Sequence, residues 1–176
     1  MRSVIRKLDH VSAALHRVAL WGAVAAVLVM LGAATWQVIA RYALSQPPAW
    51  TEELARFSMV WAGLLGASCA FRTQTDPSLF PGMRDLPGAA GRVLALIRAA
   101  GVLIFVAPIL WFSVFGANMN PARGYIARLA GRQAETIDLP MTVFGIAIPI
   151  AFTLILIHLI AQLAVSLTGS DERNPT

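Results

Sequence analysis

Few side chains in this sequence have the type and spacing that chemistry at a site requires. Glu52, Glu53 and Arg56 form a charged group at the start of a long apolar run. Carboxylates with a nearby arginine suit ion pairing or the holding of another segment, because charge-assisted hydrogen bonds are strong. Ionisable groups beside membrane-like runs are therefore the first candidates for function.

Polar side chains inside the apolar runs are the second candidates. They are Gln37, His158 and Gln162. An intramembrane histidine can relay protons or ligate haem, but bis-histidine ligation needs a second histidine in a predicted span, and the sequence offers none. We interpret His158 as a structural or cytoplasm-facing residue, since such groups often hydrogen-bond across helices.

Other reactive patterns are missing from the sequence. Cys69 is the single cysteine, so neither an internal disulfide nor a thiol oxidase is expected. The chain has no H-E-x-x-H metal motif, no phosphate-binding glycine motif and no G-x-S-x-G nucleophile turn. We therefore predict no enzyme activity, no cofactor and no metal site.

Composition indicates that lipid is the solvent of this chain. Hydrophobic residues make up 57% and charged residues 13% of its 176 residues, whereas soluble domains are about one quarter charged. The net charge of +5 comes mainly from arginines. Because these arginines flank apolar runs, they indicate membrane topology and not nucleic-acid binding.

The predicted fold is an all-α integral membrane protein, a single membrane domain over residues 1–176. A span needs about 20 mostly apolar residues and must be helical. Pro108 and Pro149 should bend the spans that contain them. Four stretches qualify as spans: Val18 to Ala40, Trp50 to Phe71, Val93 to Ala117, and Leu139 to Leu167.

Residues 4–16 show amphipathic spacing, with Val4, Leu8 and Val11 on one arc and Arg6 and Asp9 opposite. This pattern predicts an interfacial helix on the cytoplasmic leaflet, with its cations near anionic lipid headgroups. The alternative is a mobile basic tail. A cleaved signal peptide is disfavoured, because the following apolar run is too long.

Basic residues in the flanks set the predicted orientation. Eight lie in the N-terminal segment, the second loop and the C-terminal tail, against four in the first and third loops. By the positive-inside rule both termini should be cytoplasmic, although Arg123, Arg128 and Arg132 of the third loop run against it. Those three arginines are candidates for docking a partner protein, and a solvated loop is the alternative.

The charged group at the start of the second span has two interpretations. Thr51 as N-cap, with a pair between Glu52 and Arg56, would simply stabilise a helix start. Alternatively a carboxylate, with Arg41 across the short hairpin, fixes the helices to each other or to a partner.

Further along the same helix, small residues form an arc that admits a close neighbouring helix, from this chain or another. The arc consists of Ala55, Ala62, Gly63, Gly66 and Ala70. A short helix is also predicted in the third loop, near Pro121 to Gly131, with Tyr125, Ile126 and Leu129 against the membrane.

Several runs resemble the small membrane subunit, DctQ type, of TRAP (tripartite ATP-independent periplasmic) transporters. They are WQVIARY from Trp36 to Tyr42, WTEELAR from Trp50 to Arg56, VWAGLLGA from Val60 to Ala67, Arg72, IDLPM from Ile137 to Met141, and AIP from Ala147 to Pro149. The second loop departs from the family pattern, in which a histidine and a hydrophobic strand-like segment often follow the arginine. Here residues 73–82 read TQTDPSLFPG.

The resemblance implies four helices with cytoplasmic ends in a bacterial inner membrane. It also implies two partners: a large membrane subunit that holds the substrate and sodium sites, and a periplasmic binding protein that delivers a solute, commonly an organic acid. The small subunit would brace the static scaffold. The alternative function is an autonomous four-helix channel or exporter acting as a homo-oligomer. A membrane anchor for a redox enzyme is a third.

Overall fold

The computed structural model describes residues 2–75, 86 and 88–169 of the chain. Its four long helices are apolar enough to cross a membrane, and no strand occurs in the described part. The predicted all-α fold with four candidate spans is therefore confirmed. The helices are α1 (Arg2–Ala43), α2 (Ala49–Thr73), α3 (Gly88–Val114), the short α4 (Tyr125–Ala130) and α5 (Thr142–Gly145), and α6 (Ala147–Gly169).

The first helix is longer than predicted, because residues 4–16 continue without a break into the first span. Forty-two residues at about 1.5 Å each exceed a hydrocarbon core of about 30 Å by roughly twofold. Part of α1 must therefore lie outside the hydrocarbon. The predicted membrane arc is also divided, since Val4 and Val11 are exposed while Leu8 is half-buried against the bundle.

Small side chains let α1 lie close to the bundle. Its buried face consists of Ser12 and four alanines, Ala19, Ala23, Ala33 and Ala40. Because alanine has little side-chain volume, the backbones of neighbouring helices can approach each other closely. Helix α1 packs on α2 and α6, while α3 packs mainly on α6. Helix α6 therefore lies at the centre, and it supplies the buried residues Ala147, Ala151, Leu154 and Leu159.

The boundaries of the last two spans differ from the prediction. Helix α3 ends at Val114, before the predicted Ala117, and the last helical segment begins at Thr142, after the predicted Leu139. Pro149 lies in the first turn of α6, and it cannot donate a hydrogen bond to the carbonyl four residues earlier, that of Gly145. The helix is interrupted at that point, between α5 and α6.

The third loop folds back over the end of the bundle where α2 begins. A 3₁₀ turn, Pro121–Arg123, precedes α4, and both lie within the stretch predicted to contain a short helix. The apolar side of α4 faces the bundle, because the Leu129 side chain and the Tyr125 hydroxyl lie against Gly145. Tyr125 and Leu129 therefore face the bundle, where the prediction had placed them against the membrane.

Most of the second loop lies outside the described residues, including the part of its unusual segment that follows Thr75. Arg84 and Arg173, two of the cations used in the orientation count, also lie outside the described residues.

Candidate functional site

Glu53 joins the start of α2 to the third loop. Its carboxylate accepts backbone N–H bonds from Glu135 at 2.9 Å, Thr136 at 2.7 Å and Ile137 at 3.2 Å. The Thr136 hydroxyl donates a fourth hydrogen bond to the same carboxylate, at 2.5 Å. Glu53 is only 7% exposed. We call these four residues the loop anchor.

The charged residues near Glu53 make no comparable contacts with distant parts of the described chain. Glu52 and Arg56 form the predicted i, i+4 pair at 3.5 Å, with both side chains largely exposed. Thr51 is not the N-cap: Pro48 holds that position, and the Thr51 hydroxyl donates to the Pro48 carbonyl at 2.7 Å. Arg41 is exposed, and no ion pair among the described residues joins it to either glutamate. The charged group therefore contains one buried anchor and one exposed ion pair.

Helices α2 and α5 meet just below the loop anchor. The Phe57 and Phe144 rings stack with centroids 3.9 Å apart. The Trp61 indole N–H donates to the Val143 carbonyl at 3.2 Å. Together with the loop anchor, these contacts hold the third loop and α5 against α2.

A second set of polar contacts joins the long helices at the opposite end of the bundle, where α1 begins and α6 ends. Arg72 of α2 donates to Asp9 at 3.1 Å and to the Ser12 hydroxyl, both on α1. Ser12 in turn is hydrogen-bonded to His158 Nδ1 of α6 at 2.7 Å.

Gln162 of α6 adds a direct contact with α2 and extends the set to a fourth helix, α3. Its amide N–H₂ donates to the carbonyls of Phe71 and Arg72 at 2.9 and 3.2 Å. Its carbonyl accepts from Arg98 of α3 at 3.3 Å. Arg98 is thus bonded across helices. We call Asp9, Ser12, Arg72, Arg98, His158 and Gln162 the terminal polar layer.

His158 is fully buried, and its ring packs edge-on against that of His16, with centroids 6.4 Å apart. The structural interpretation of His158 agrees with this geometry. His16 was missed as its neighbour, because it belonged to the segment predicted to lie on the membrane surface. A continuous helical period through residues 4–40 would have placed Ser12, His16 and Ala19 on one face.

The small-residue arc of α2 does not receive a helix of this chain at its glycines. A side chain added at Gly63 or Gly66 would meet nothing within 4 Å. The buried side of α2 carries Ser58, Leu65, Ser68 and Cys69 instead. Gly63 is exposed, and it follows the exposed Glu52, Arg56, Met59 and Val60 along the helix.

The aromatic residues near the α1–α2 hairpin are exposed, as membrane-surface anchors are expected to be. Trp36, Tyr42 and Trp50 all lie on the outside of the bundle. Arg123, Arg128 and Arg132 are exposed at the same end. The loop anchor therefore holds the segment next to this basic surface.

Comparison with known proteins assigns the family. A sequence model of the DctQ component of tripartite ATP-independent periplasmic transporters matches residues 30–169. The chain belongs to this family. It is also similar to the sialic acid TRAP transporter small permease protein SiaQ of Vibrio cholerae, with 29% identity over 91 residues. That similarity covers 52% of this chain and 53% of the relative, so the chain spans about half the length of the relative it matches.

The DctQ family is a component of a tripartite transporter, which makes this chain a TRAP small membrane subunit. The family is a transporter component and not one known for catalysis. The matched region contains the loop anchor, the exposed pair of α2 and the three arginines of the third loop. Asp9, Ser12 and His16 precede it.

Proposed function

We propose that this DctQ-type subunit braces the static scaffold of the large membrane subunit in a sodium-coupled TRAP transporter. The observation that carries the proposal is the use of the buried polar side chains. Glu53, His158 and Gln162 bond to other elements of the same chain, where they hold helices and a loop in place. Groups committed in this way stabilise a rigid body and do not line a pathway for solute.

Helix α2 provides the surface that best suits the large subunit. Its outward side begins with the ion pair of Glu52 and Arg56 and continues to Gly63, where another backbone can approach closely. Gly66 is also unobstructed by this chain, so the space for a partner helix continues to that position. Trp36, Arg41, Tyr42 and Trp50 flank this surface at the hairpin end, and they are the further candidates for partner or lipid contact.

The third loop is the proposed docking surface for the periplasmic binding protein. Arg123, Arg128 and Arg132 are exposed, and the loop anchor restrains the segment that follows them. A restrained basic surface attracts an acidic partner and raises its association rate by electrostatic steering. This function places the third loop in the periplasm and both termini in the cytoplasm of a bacterial inner membrane.

The proposed solute class is an organic acid. The family resemblance supports it, and the relative from Vibrio cholerae is named for sialic acid, which is itself an organic acid. The solute is bound by the partner proteins in this proposal, so the small subunit needs no solute site.

Reconstitution tests the bracing function directly. The large subunit is placed in proteoliposomes with and without this chain, and uptake is measured with the binding protein, an organic acid and a sodium gradient. We expect uptake only when both membrane subunits are present. Full uptake without this chain would exclude the bracing function.

The same preparation tests the alternative of a homo-oligomeric channel or exporter. This chain alone is reconstituted and assayed for solute flux. We expect none, because His158 and Gln162 are engaged between helices. Flux through the isolated chain would favour the alternative.

A further inference from the structure

Two buried ring nitrogens, one in the terminal polar layer and one beside it, have no hydrogen-bond partner within the described part of the chain. They are Nδ1 of His16 and Nε2 of His158. A buried polar nitrogen without a partner costs free energy, and such groups in native proteins are generally bonded to protein or to ordered water. The two nitrogens belong to rings that pack directly against each other.

Hydrogen-bond donors and acceptors around Ser12 determine which tautomer His158 adopts. Arg72 has only donors, so the Ser12 oxygen accepts its N–H. The Ser12 hydroxyl then needs an acceptor, and Ser12 is fully buried beside His158 Nδ1. Ser12 therefore donates to Nδ1, which leaves the proton of a neutral His158 on Nε2.

The Nε2–H group of this tautomer is a buried donor, and the nearby His16 Nδ1 can act as an acceptor. The two atoms do not bond directly. A molecule that accepts from one nitrogen and donates to the other, at about 2.9 Å from each, can join atoms up to about 6 Å apart. The ring centroids are 6.4 Å apart, which is compatible with that span.

We propose that one water molecule bridges His158 Nε2 and His16 Nδ1. The bridge completes a hydrogen-bonded chain from Arg72 through Ser12 and His158 to the water and His16. It attaches the first turns of α1, which precede the region matched by the family, to α6. Buried waters of this kind need two or more polar partners, and the two rings supply them.

Water fits the site better than a metal ion. No group of three histidine, cysteine or acidic side chains in the described residues is arranged to hold a metal. Structural zinc sites use four protein ligands and catalytic ones three. Two imidazole nitrogens fall short of both.

A double-mutant cycle with phenylalanine tests the bridge. His16→Phe and His158→Phe each keep an aromatic ring for the edge-on contact but remove the hydrogen-bonding nitrogens. We expect each single variant to lower the unfolding temperature of the full chain in lipid nanodiscs. The unfolding temperature of the double variant should fall by clearly less than the sum of the two single decreases, because the double variant removes both groups that need the water.

His10→Phe is the matched control, since His10 is exposed on the same helix, and it should leave the unfolding temperature nearly unchanged. Additive losses in the double variant would overturn the bridge. A lowered unfolding temperature of the wild-type chain after chelation would also overturn it, in favour of a metal.

Nuclear magnetic resonance of the wild-type chain gives a test that does not depend on variants folding. With ¹⁵N-labelled histidine, His158 should show a neutral ring protonated on Nε2. A cross-peak from water to that proton is expected. A charged ring, protonation on Nδ1 only, or no transfer from water would each contradict the proposal.

Discussion

Glu53 accepts two hydrogen bonds from Thr136, one from its backbone N–H at 2.7 Å and one from its hydroxyl at 2.5 Å. Residues 83 positions apart thereby join the start of α2 to the loop that precedes α5. Glu135 and Ile137 donate to the same carboxylate.

Replacing the anchor carboxylate should therefore loosen the third loop. Glu53→Ala leaves three successive backbone N–H groups without their acceptor, so we expect the unfolding temperature to fall by several degrees and proteolysis near residue 135 to increase. Glu53→Gln keeps one acceptor oxygen, so its unfolding temperature should lie between those of the wild type and Glu53→Ala. Glu52→Ala is the control, because its partner Arg56 is exposed. Equal effects of the alanine substitutions at 52 and 53 would contradict the anchor.

Gly124 lies where the third loop passes close to the end of α3. A Cβ atom at this position would lie 2.2 Å from the carbonyl oxygen of Val114, a backbone atom that cannot move independently. Gly124→Ala should therefore destabilise the chain by about 1–3 kcal/mol, the usual cost of overpacking. Gly131→Ala, in the same loop, meets nothing within 4 Å and should be nearly neutral. Denaturant unfolding in detergent compares the two alanine variants. Equal stabilities would contradict the close approach of the loop to α3 at Gly124.

Gln162 carries three interhelical hydrogen bonds, so its loss should weaken the terminal polar layer. Gln162→Leu keeps a side chain of similar reach but removes the side-chain donor to the Phe71 and Arg72 carbonyls and the acceptor for Arg98. We expect the free energy of unfolding to fall by about 1–3 kcal/mol, the usual cost of leaving buried polar groups without partners. Ser166→Ala on the same helix removes only a bond to the Leu163 carbonyl. A thermal shift assay should rank the glutamine variant well below the serine variant.

The proposed partner surface of α2 is tested by enlarging its glycines. Gly63→Leu and Gly66→Leu should leave the isolated subunit folded, because nothing in this chain lies within 4 Å of either position. Recovery of the complex with the large subunit in mild detergent should fall at least severalfold. Gly101→Leu on α3 is equally unobstructed in this chain and serves as the control. Normal recovery with both α2 variants would exclude this surface.

The basic surface of the third loop is tested by charge removal. Substitution of Arg123, Arg128 and Arg132 by glutamine should raise the concentration of binding protein needed for half-maximal uptake. That concentration should also depend less on ionic strength than in the wild type. Uptake at saturating binding protein should change little. A triple substitution of Arg6, Lys7 and Arg17, exposed on α1, is the control. Unaltered dependence in the third-loop variant would indicate a merely solvated loop.

Local pattern in the sequence was enough to predict the four apolar helices, the short helix of the third loop and the exposed pair of Glu52 and Arg56. Each depends on residues within a few turns of one another, so hydropathy and helical spacing suffice to predict it. The family resemblance rested on such local runs as well, and the family match bears it out.

Only the tertiary structure decided which polar groups are bonded to each other. Glu52 and Glu53 are chemically alike and adjacent, yet one is exposed and the other accepts four hydrogen bonds from a distant loop. His16 and His158 likewise meet only because α1 continues straight past the predicted membrane boundary and packs on α6. Helical periodicity specifies the faces of one helix, but the pairing of faces depends on the volumes and angles of all the helices packed together.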